Sequence, residues 1–112
     1  MENCIFCKIL GGKIPSSKVW EDENFIAIRD IQPQAKAHLL VIPRRHFECV
    51  DSAGAESVVA GLLSAANAVA SSQGLAQDGF RFVINTRQFG GQTVGHLHLH
   101  VLGGQQLHGS FA

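Results

Sequence analysis

The sequence predicts an α+β domain: about five short, mainly antiparallel strands, one main helix and a short N-terminal helix. Three observations carry this. A single long stretch has apolar residues recurring every three or four positions. Around it lie short β-rich runs whose brief connections favour antiparallel neighbours. The 112 residues, 46% hydrophobic and 16% charged, suit one core and one domain spanning 1–112.

Taken in order, Cys4–Leu10 is mostly apolar and stops at Gly11-Gly12, which predicts a short helix closed by glycine. Pro15-Ser16-Ser17 is a loop. Lys18–Glu21 and Phe25–Asp30 are β-rich runs either side of Asp22-Glu23-Asn24, residues suited to a hairpin turn. After a connection centred on Pro33, Lys36–Ile42 contains Leu39-Leu40-Val41-Ile42, a well-buried strand ending at Pro43. Asp51 or Ser52 is placed to cap the main helix, Gly54–Gln73, with Gly74 as its stop. Its sheet-facing side comprises Val58, Val59, Leu62, Leu63, Ala66, Val69 and Ala70. Asp78-Gly79 turns into Phe80–Asn85, a strand with Phe80, Phe82 and Ile84 on one face. A Gly-containing loop, Thr86–Gly95, leads to the last strand, His96–Leu102, closed by Gly103-Gly104. Trp20, on an early strand, is expected in the core.

Composition narrows the function. Nine basic and nine acidic residues give a formal charge of zero, so no bulk field draws nucleic acid or a membrane surface. No apolar run approaches the roughly 20 residues that span a bilayer. Met-Glu-Asn lacks the basic and apolar regions of a secretory signal, and three cysteines make a poor disulfide framework. A reducing cytoplasm is the expected location.

Six histidines in so short a chain point to chemistry. In His96-Leu97-His98-Leu99-His100-Val101-Leu102, a strand sets the three histidines on one face and Leu97, Leu99 and Val101 toward the core. Three imidazoles on one face, if buried without purpose, would each cost a few kcal/mol. Two chemistries fit. The three can converge on a catalytic zinc with an open position. Alternatively, one is a nucleophile that its neighbours orient while binding the electrophile's oxygens. The preceding Gly90-Gly91-Gln92-Thr93-Val94-Gly95 lets backbone N–H groups approach a phosphate, and Thr93 can donate to it. Joined to the histidine face, this loop favours attack at phosphorus.

His-Leu-His-Leu-His-Val-Leu resembles the His-x-His-x-His pattern of the histidine triad (HIT) superfamily, in its Hint branch of nucleoside phosphoramidases. The likeness extends through Cys4-Ile5-Phe6-Cys7-Lys8-Ile9, Asp30-Ile31-Gln32-Pro33, His38-Leu39-Leu40-Val41-Ile42-Pro43, Asn85, Gly91-Gln92-Thr93-Val94 and Leu102-Gly103-Gly104. It implies a HIT-like fold, a homodimer and attack on the α-phosphorus of a purine nucleoside 5′-phosphoramidate. A nucleotidyl-histidine intermediate then gives the nucleoside monophosphate, with no cofactor needed for the chemistry. His98 matches the nucleophile, and His100 the residue that contacts phosphate and assists the leaving group. His38 matches a fourth, supporting histidine, and His96 completes the triad. Asn85, Gly91, Thr93 and Val94 match contacts to the phosphate region. Asp30 matches the acid that binds ribose hydroxyls, the natural group for a vicinal diol. Phe6, Ile9, Ile28, Ile31 and Leu40 match an apolar slot for the base, which grips by area and discriminates modestly.

The chain departs from the family's pattern in two places. Gly95 stands where relatives often carry a larger side chain, and the tail Gln105–Ala112 lacks the tryptophan that some relatives have. Cys4-x-x-Cys7 is by itself half of a zinc site. The resemblance supplies the other half from His46 and His96, a closed and structural Cys2His2 tetrahedron. Cys49 is expected to be a small buried hydrophobe, and Arg44-Arg45 a solvated pair. Three other readings share these residues: a dinucleoside polyphosphate hydrolase or nucleotidyl transferase, a nucleotide-sensing binding protein, and a zinc hydrolase using the triad as ligands.

Overall fold

A computed structural model describes residues 3–109. Helix α1 (Ile5–Leu10) begins at Cys4, whose sulfur accepts the Cys7 amide hydrogen at 3.3 Å. Strands β1 (Lys18–Glu21) and β2 (Phe25–Arg29) form a hairpin. Its turn is held by Asp22, whose Oδ1 accepts from the Asn24 and Phe25 amides, both at 2.8 Å. Then come β3 (Ala37–Pro43), helix α2 (Glu56–Ser72), β4 (Phe80–Val83) and β5 (Leu99–Gly103). All pairings are antiparallel, in the order β1-β2-β3-β5-β4.

The sheet has two covered faces, and the alternation of side chains decides which residue goes where. Phe25, Ala27, Leu39, Val41, Leu97, Leu99 and Val101 pack with α2 in the main core. Ile26, Ile28, Leu40 and Ile42 point the other way and gather Phe6, Ile9 and Leu10 of α1. Burial on both faces explains why Leu39-Leu40-Val41-Ile42 is continuously apolar. Trp20 is half-buried against the main core, as expected.

The expected caps of α2 are corrected. The helix starts at Glu56, and Ala55 precedes it with no side-chain cap bond. Asp51 is instead gripped by Arg87, while the Ser52 hydroxyl accepts the Cys49 amide hydrogen at 3.1 Å. Of the predicted sheet-facing side, Leu62, Ala66, Val69 and Ala70 are buried and Val58 packs against the same core, whereas Leu63 is 41% exposed and Ala65 is buried instead. Small residues draw the helix close to the sheet: a Cβ at Gly61 would lie 3.1 Å from the Phe25 ring. Strand β4 ends at Val83, short of Asn85, and Phe80 stays 38% exposed while Phe82 and Ile84 pack inward. Ladder pairing of β5 begins only at Leu99, yet the side chains before it keep the strand alternation. The Leu97 amide anchors that approach by donating to the Phe47 carbonyl at 2.6 Å. No helix among the described residues is long and apolar enough to cross a membrane. Residues 1–2 and 110–112, which carry part of the expectations about the two termini, lie outside the described residues.

Candidate functional site

Hydrogen-bond partners fix where each imidazole carries its proton. A backbone carbonyl can only accept, so the 2.9 Å contact of His96 Nε2 with the Pro43 oxygen places the proton on Nε2. His96 Nδ1 therefore presents a lone pair. The same logic applies to His98, whose Nδ1 lies 2.7 Å from the His96 carbonyl oxygen and donates to it. The lone pair of His98 is thus on Nε2. In His38 the order is set by a donor: the Gln34 amide gives its hydrogen to Nδ1 at 2.9 Å. His38 Nε2 then carries the proton, 2.9 Å from His100 Nδ1 and 3.3 Å from Asp30 Oδ2. His100 Nδ1 accepts, so the proton of His100 sits on Nε2.

Burial keeps these rings neutral. His96 and His98 are buried, and desolvation lowers both below the ordinary histidine value. The Asp30 carboxylate pulls His38 upward, but the larger effect of burial still leaves it lowered. His100 is pushed down to about 4, by burial first and then by His98 and His38. The rings of His98 and His100 lie 5.0 Å apart at 64°, and Phe6 packs edge-on against His98 at 5.1 Å.

The other predicted site residues separate into groups. Phe6, Ile9, Ile28 and Leu40 come together in the cluster beneath the histidine face, joined by Val94. Ile31 does not join them; it is 93% exposed just beyond β2 and Asp30. Asn85 is half-buried after β4, and Gly91 and Thr93 are exposed on the following loop. Hydrogen bonds among the described residues do not connect these three to the histidines. That loop is tightly built. A Cβ at Gly90 would fall 2.4 Å from the Thr86 oxygen, and Gly91 has φ +80°.

Sequence reasoning missed the residues that hold the loop. Gln92 accepts the Arg87 amide hydrogen at 2.8 Å and donates to the carbonyls of Glu48 and Val94 at 2.6 and 2.9 Å. Arg87 makes a two-pronged contact with Asp51 at 2.7 and 2.6 Å, holding that carboxyl well below the usual range. Cys49 is buried, as expected, but its thiol also donates to Asp51 Oδ1 at 3.0 Å. Arg44, expected to be solvated, bridges to Glu21 at 3.0 Å across an exposed surface. Pairs set 36 and 44 residues apart leave no local sequence signal.

Cys4, Cys7, His46 and His96 converge, their ligand atoms all within 4.8 Å of one another. Cys4 Sγ lies 3.3 Å and Cys7 Sγ 3.6 Å from His96 Nδ1, and His46 Nδ1 is 3.3 Å from Cys7 Sγ and 3.0 Å from His96 Nδ1. Tetrahedral zinc holds such atoms about 3.3–3.8 Å apart. The lone pair on His96 Nδ1 faces the group, so the residues fit a Cys2His2 metal. Asp30, His38 and His100 also converge, but there His38 turns a protonated nitrogen inward and is no ligand. His96, His98 and His100 do not gather on one point among the described residues. His96 turns its free Nδ1 to Cys4, Cys7 and His46, and His100 groups with Asp30 and His38, so the three do not offer one zinc a shared point.

A family model described as the HIT domain matches residues 11–107. The purine nucleoside phosphoramidase of Escherichia coli K12 is 41% identical over 108 residues, covering 95% of this chain and 91% of that protein. A 14 kDa zinc-binding protein of Zea mays is 45% identical over 107 residues, 92% of this chain and 83% of its own. The crystal structure of a HIT family hydrolase from Legionella pneumophila superposes with a TM-score of 0.91 at 44% identity, covering 96% of this chain and 98% of that one. The histidine face, the α+β sheet and these likenesses agree, and the chain belongs to the HIT domain family.

Proposed function

We propose that the protein hydrolyses purine nucleoside 5′-phosphoramidates through a covalent intermediate on His98. One observation carries this: the bond from His98 Nδ1 to the His96 carbonyl leaves a neutral Nε2 lone pair, as a nucleophile requires. His98 Nε2 attacks the α-phosphorus, and the P–N bond breaks with its electron pair going to nitrogen. His100 donates its Nε2–H to that nitrogen, and one proton taken up from solvent balances release of the amine. Water then cleaves the phosphorus–His98 bond to give the nucleoside monophosphate. Asn85, Gly91, Thr93 and Val94 receive the phosphate, Asp30 the ribose diol, and Phe6, Ile9, Ile28 and Leu40 the base. Ile31, fully outside the packed cluster, closes over the base from the solvent side.

The Cys4, Cys7, His46, His96 set holds zinc as a structural ion, a role favoured by the zinc-binding name of the maize relative. When bound, zinc ties α1 and the segment after β3 to the start of the histidine run. Two copies pair about a two-fold axis through the β4 edge. The unpaired thiols of Cys4, Cys7 and Cys49 suit a reducing cytoplasm.

Steady-state kinetics on adenosine and guanosine phosphoramidates beside diadenosine polyphosphates test the reading. Phosphoramidates turned over with the higher kcat/KM support it. Preference for the polyphosphates would move the protein to the polyphosphate hydrolase class, and binding without turnover to a nucleotide sensor.

A further inference from the structure

We infer that Asp30 is a positioning residue for His100, acting through His38, so that filling Asp30 with the ribose diol completes the catalytic arrangement. The inference rests on the proposed binding of ribose by Asp30. His38 Nε2 has one hydrogen and two acceptors within reach: His100 Nδ1 at 2.9 Å and Asp30 Oδ2 at 3.3 Å. The opposite side of the ring is fixed by the Gln34 amide, so His38 cannot answer by moving its proton to Nδ1. Asp30 is fixed as well, because its Oδ1 accepts the Gln32 amide hydrogen at 2.8 Å. The remaining carboxylate oxygen faces His38, whose side chain is 4% exposed, while the Asp30 side chain is 18% exposed and open to a ligand.

A carboxylate is the stronger acceptor and the imidazole the nearer one, so they compete for a single hydrogen. Two ribose hydroxyls donating to Asp30 occupy its lone pairs and weaken its claim. The His38 hydrogen then goes undivided to His100 Nδ1. That bond is what keeps the hydrogen of His100 on Nε2, the ring edge turned away from His38, where it meets the departing nitrogen. With no diol the hydrogen still points to His100 at 2.9 Å, but the carboxylate at 3.3 Å draws on it and the bond to His100 is weaker. Ribose therefore contributes to the rate of bond breaking as well as to binding.

The test compares adenosine and 2′,3′-dideoxyadenosine 5′-phosphoramidates of one alkylamine in single turnover, at saturating substrate. The dideoxy compound should form the nucleotidyl adduct about tenfold more slowly. The gap should nearly vanish for 4-nitrophenyl esters of the same two nucleotides, whose leaving group needs no proton. In Asp30→Asn the ribo and dideoxy phosphoramidates should react at similar rates. Nitrogen-15 NMR should show the His100 ring shifting further toward the Nε2–H form with adenosine monophosphate than with its dideoxy analogue. Equal saturating rates for the two phosphoramidates in the unaltered protein, with only KM differing, would overturn the coupling while leaving the phosphoramidase reading intact. Absence of adenosine monophosphate binding by the folded protein would overturn both.

Discussion

His98 and His96 are joined by a bond between neighbours on one face: Nδ1 of the first donates to the main-chain oxygen of the second at 2.7 Å. The contact converts a strand periodicity into a chemical assignment. A solvated histidine exchanges tautomers freely, whereas this ring has its lone pair on Nε2 and is kept neutral by burial. Phe6 covers its edge and limits ring rotation.

Replacing that lone pair is the direct check on the chemistry. His98→Ala or His98→Gly should lower phosphoramidate turnover by about 10⁴-fold or more while nucleoside monophosphate still binds. Rapid quench and peptide mapping of the native protein should find the nucleotide on His98. An adduct on another residue would refute the assignment.

The period-two alternation made the histidine face legible in the sequence, because side-chain direction survives even where His96–His98 precede the ladder. The same holds for Leu39–Ile42, whose continuous apolarity reflects cover on both faces of β3. Most of the buried side of α2 was legible from hydrophobicity, through Leu62, Ala66, Val69 and Ala70, but not the burial of Ala65 in place of Leu63. Nor was the order β3-β5-β4, a matter of long-range pairing, or the Arg87–Asp51 clamp on the loop before β5. Proton positions lay furthest from the sequence. They depend on which carbonyl or amide a ring meets, as Gln34 and Pro43 show.

Burial of His100 has a pH signature. Its folded value, about 4, lies below the roughly 6.5 of an unfolded histidine, so the unfolded chain takes up the proton first as pH falls. Its contribution is unchanged above about pH 6.5 and stability is lost between there and pH 4. Urea denaturation of the native protein and His100→Gln across this window should show the native protein losing stability faster on acidification. A constant difference between the two would argue against a half-buried, neutral His100.

Gly90 tests the architecture of the loop. A methyl group there would meet the Thr86 main-chain oxygen at 2.4 Å and nitrogen at 2.8 Å, atoms that cannot rotate aside. Gly90→Ala should cost about 2 kcal/mol and raise KM for phosphoramidates as Thr93 and Gly91 shift. Gly95→Ala, whose added methyl meets nothing within 4 Å, is the matched control and should leave stability nearly unchanged.

Among the described residues β4 is an outer strand of the sheet, with no strand beyond it and Phe80 exposed beside it, a liability that a two-fold partner would remove. Sedimentation at low micromolar concentration should give a dimer. A fully active monomer would contradict the proposed pairing.

The zinc assignment separates stability from chemistry, and two substitutions draw the line. If Cys4, Cys7, His46 and His96 hold zinc as proposed, four ligands would close its tetrahedron and leave no position for water or substrate. Cys4→Ser should lose bound zinc and lower the melting temperature by about 10 °C, since a ligand that binds only the folded state stabilises it. At a temperature where the variant stays folded, much of the catalytic rate should remain, because the carbonyl that orients His98 is main chain and the Leu97 amide still anchors that segment to Phe47. His98→Ala should behave in the opposite way, keeping zinc and losing turnover. Metal analysis that finds no zinc in protein prepared without chelator would remove the site. Turnover that vanishes with the metal in a variant whose fold persists would show that zinc does more than hold the structure.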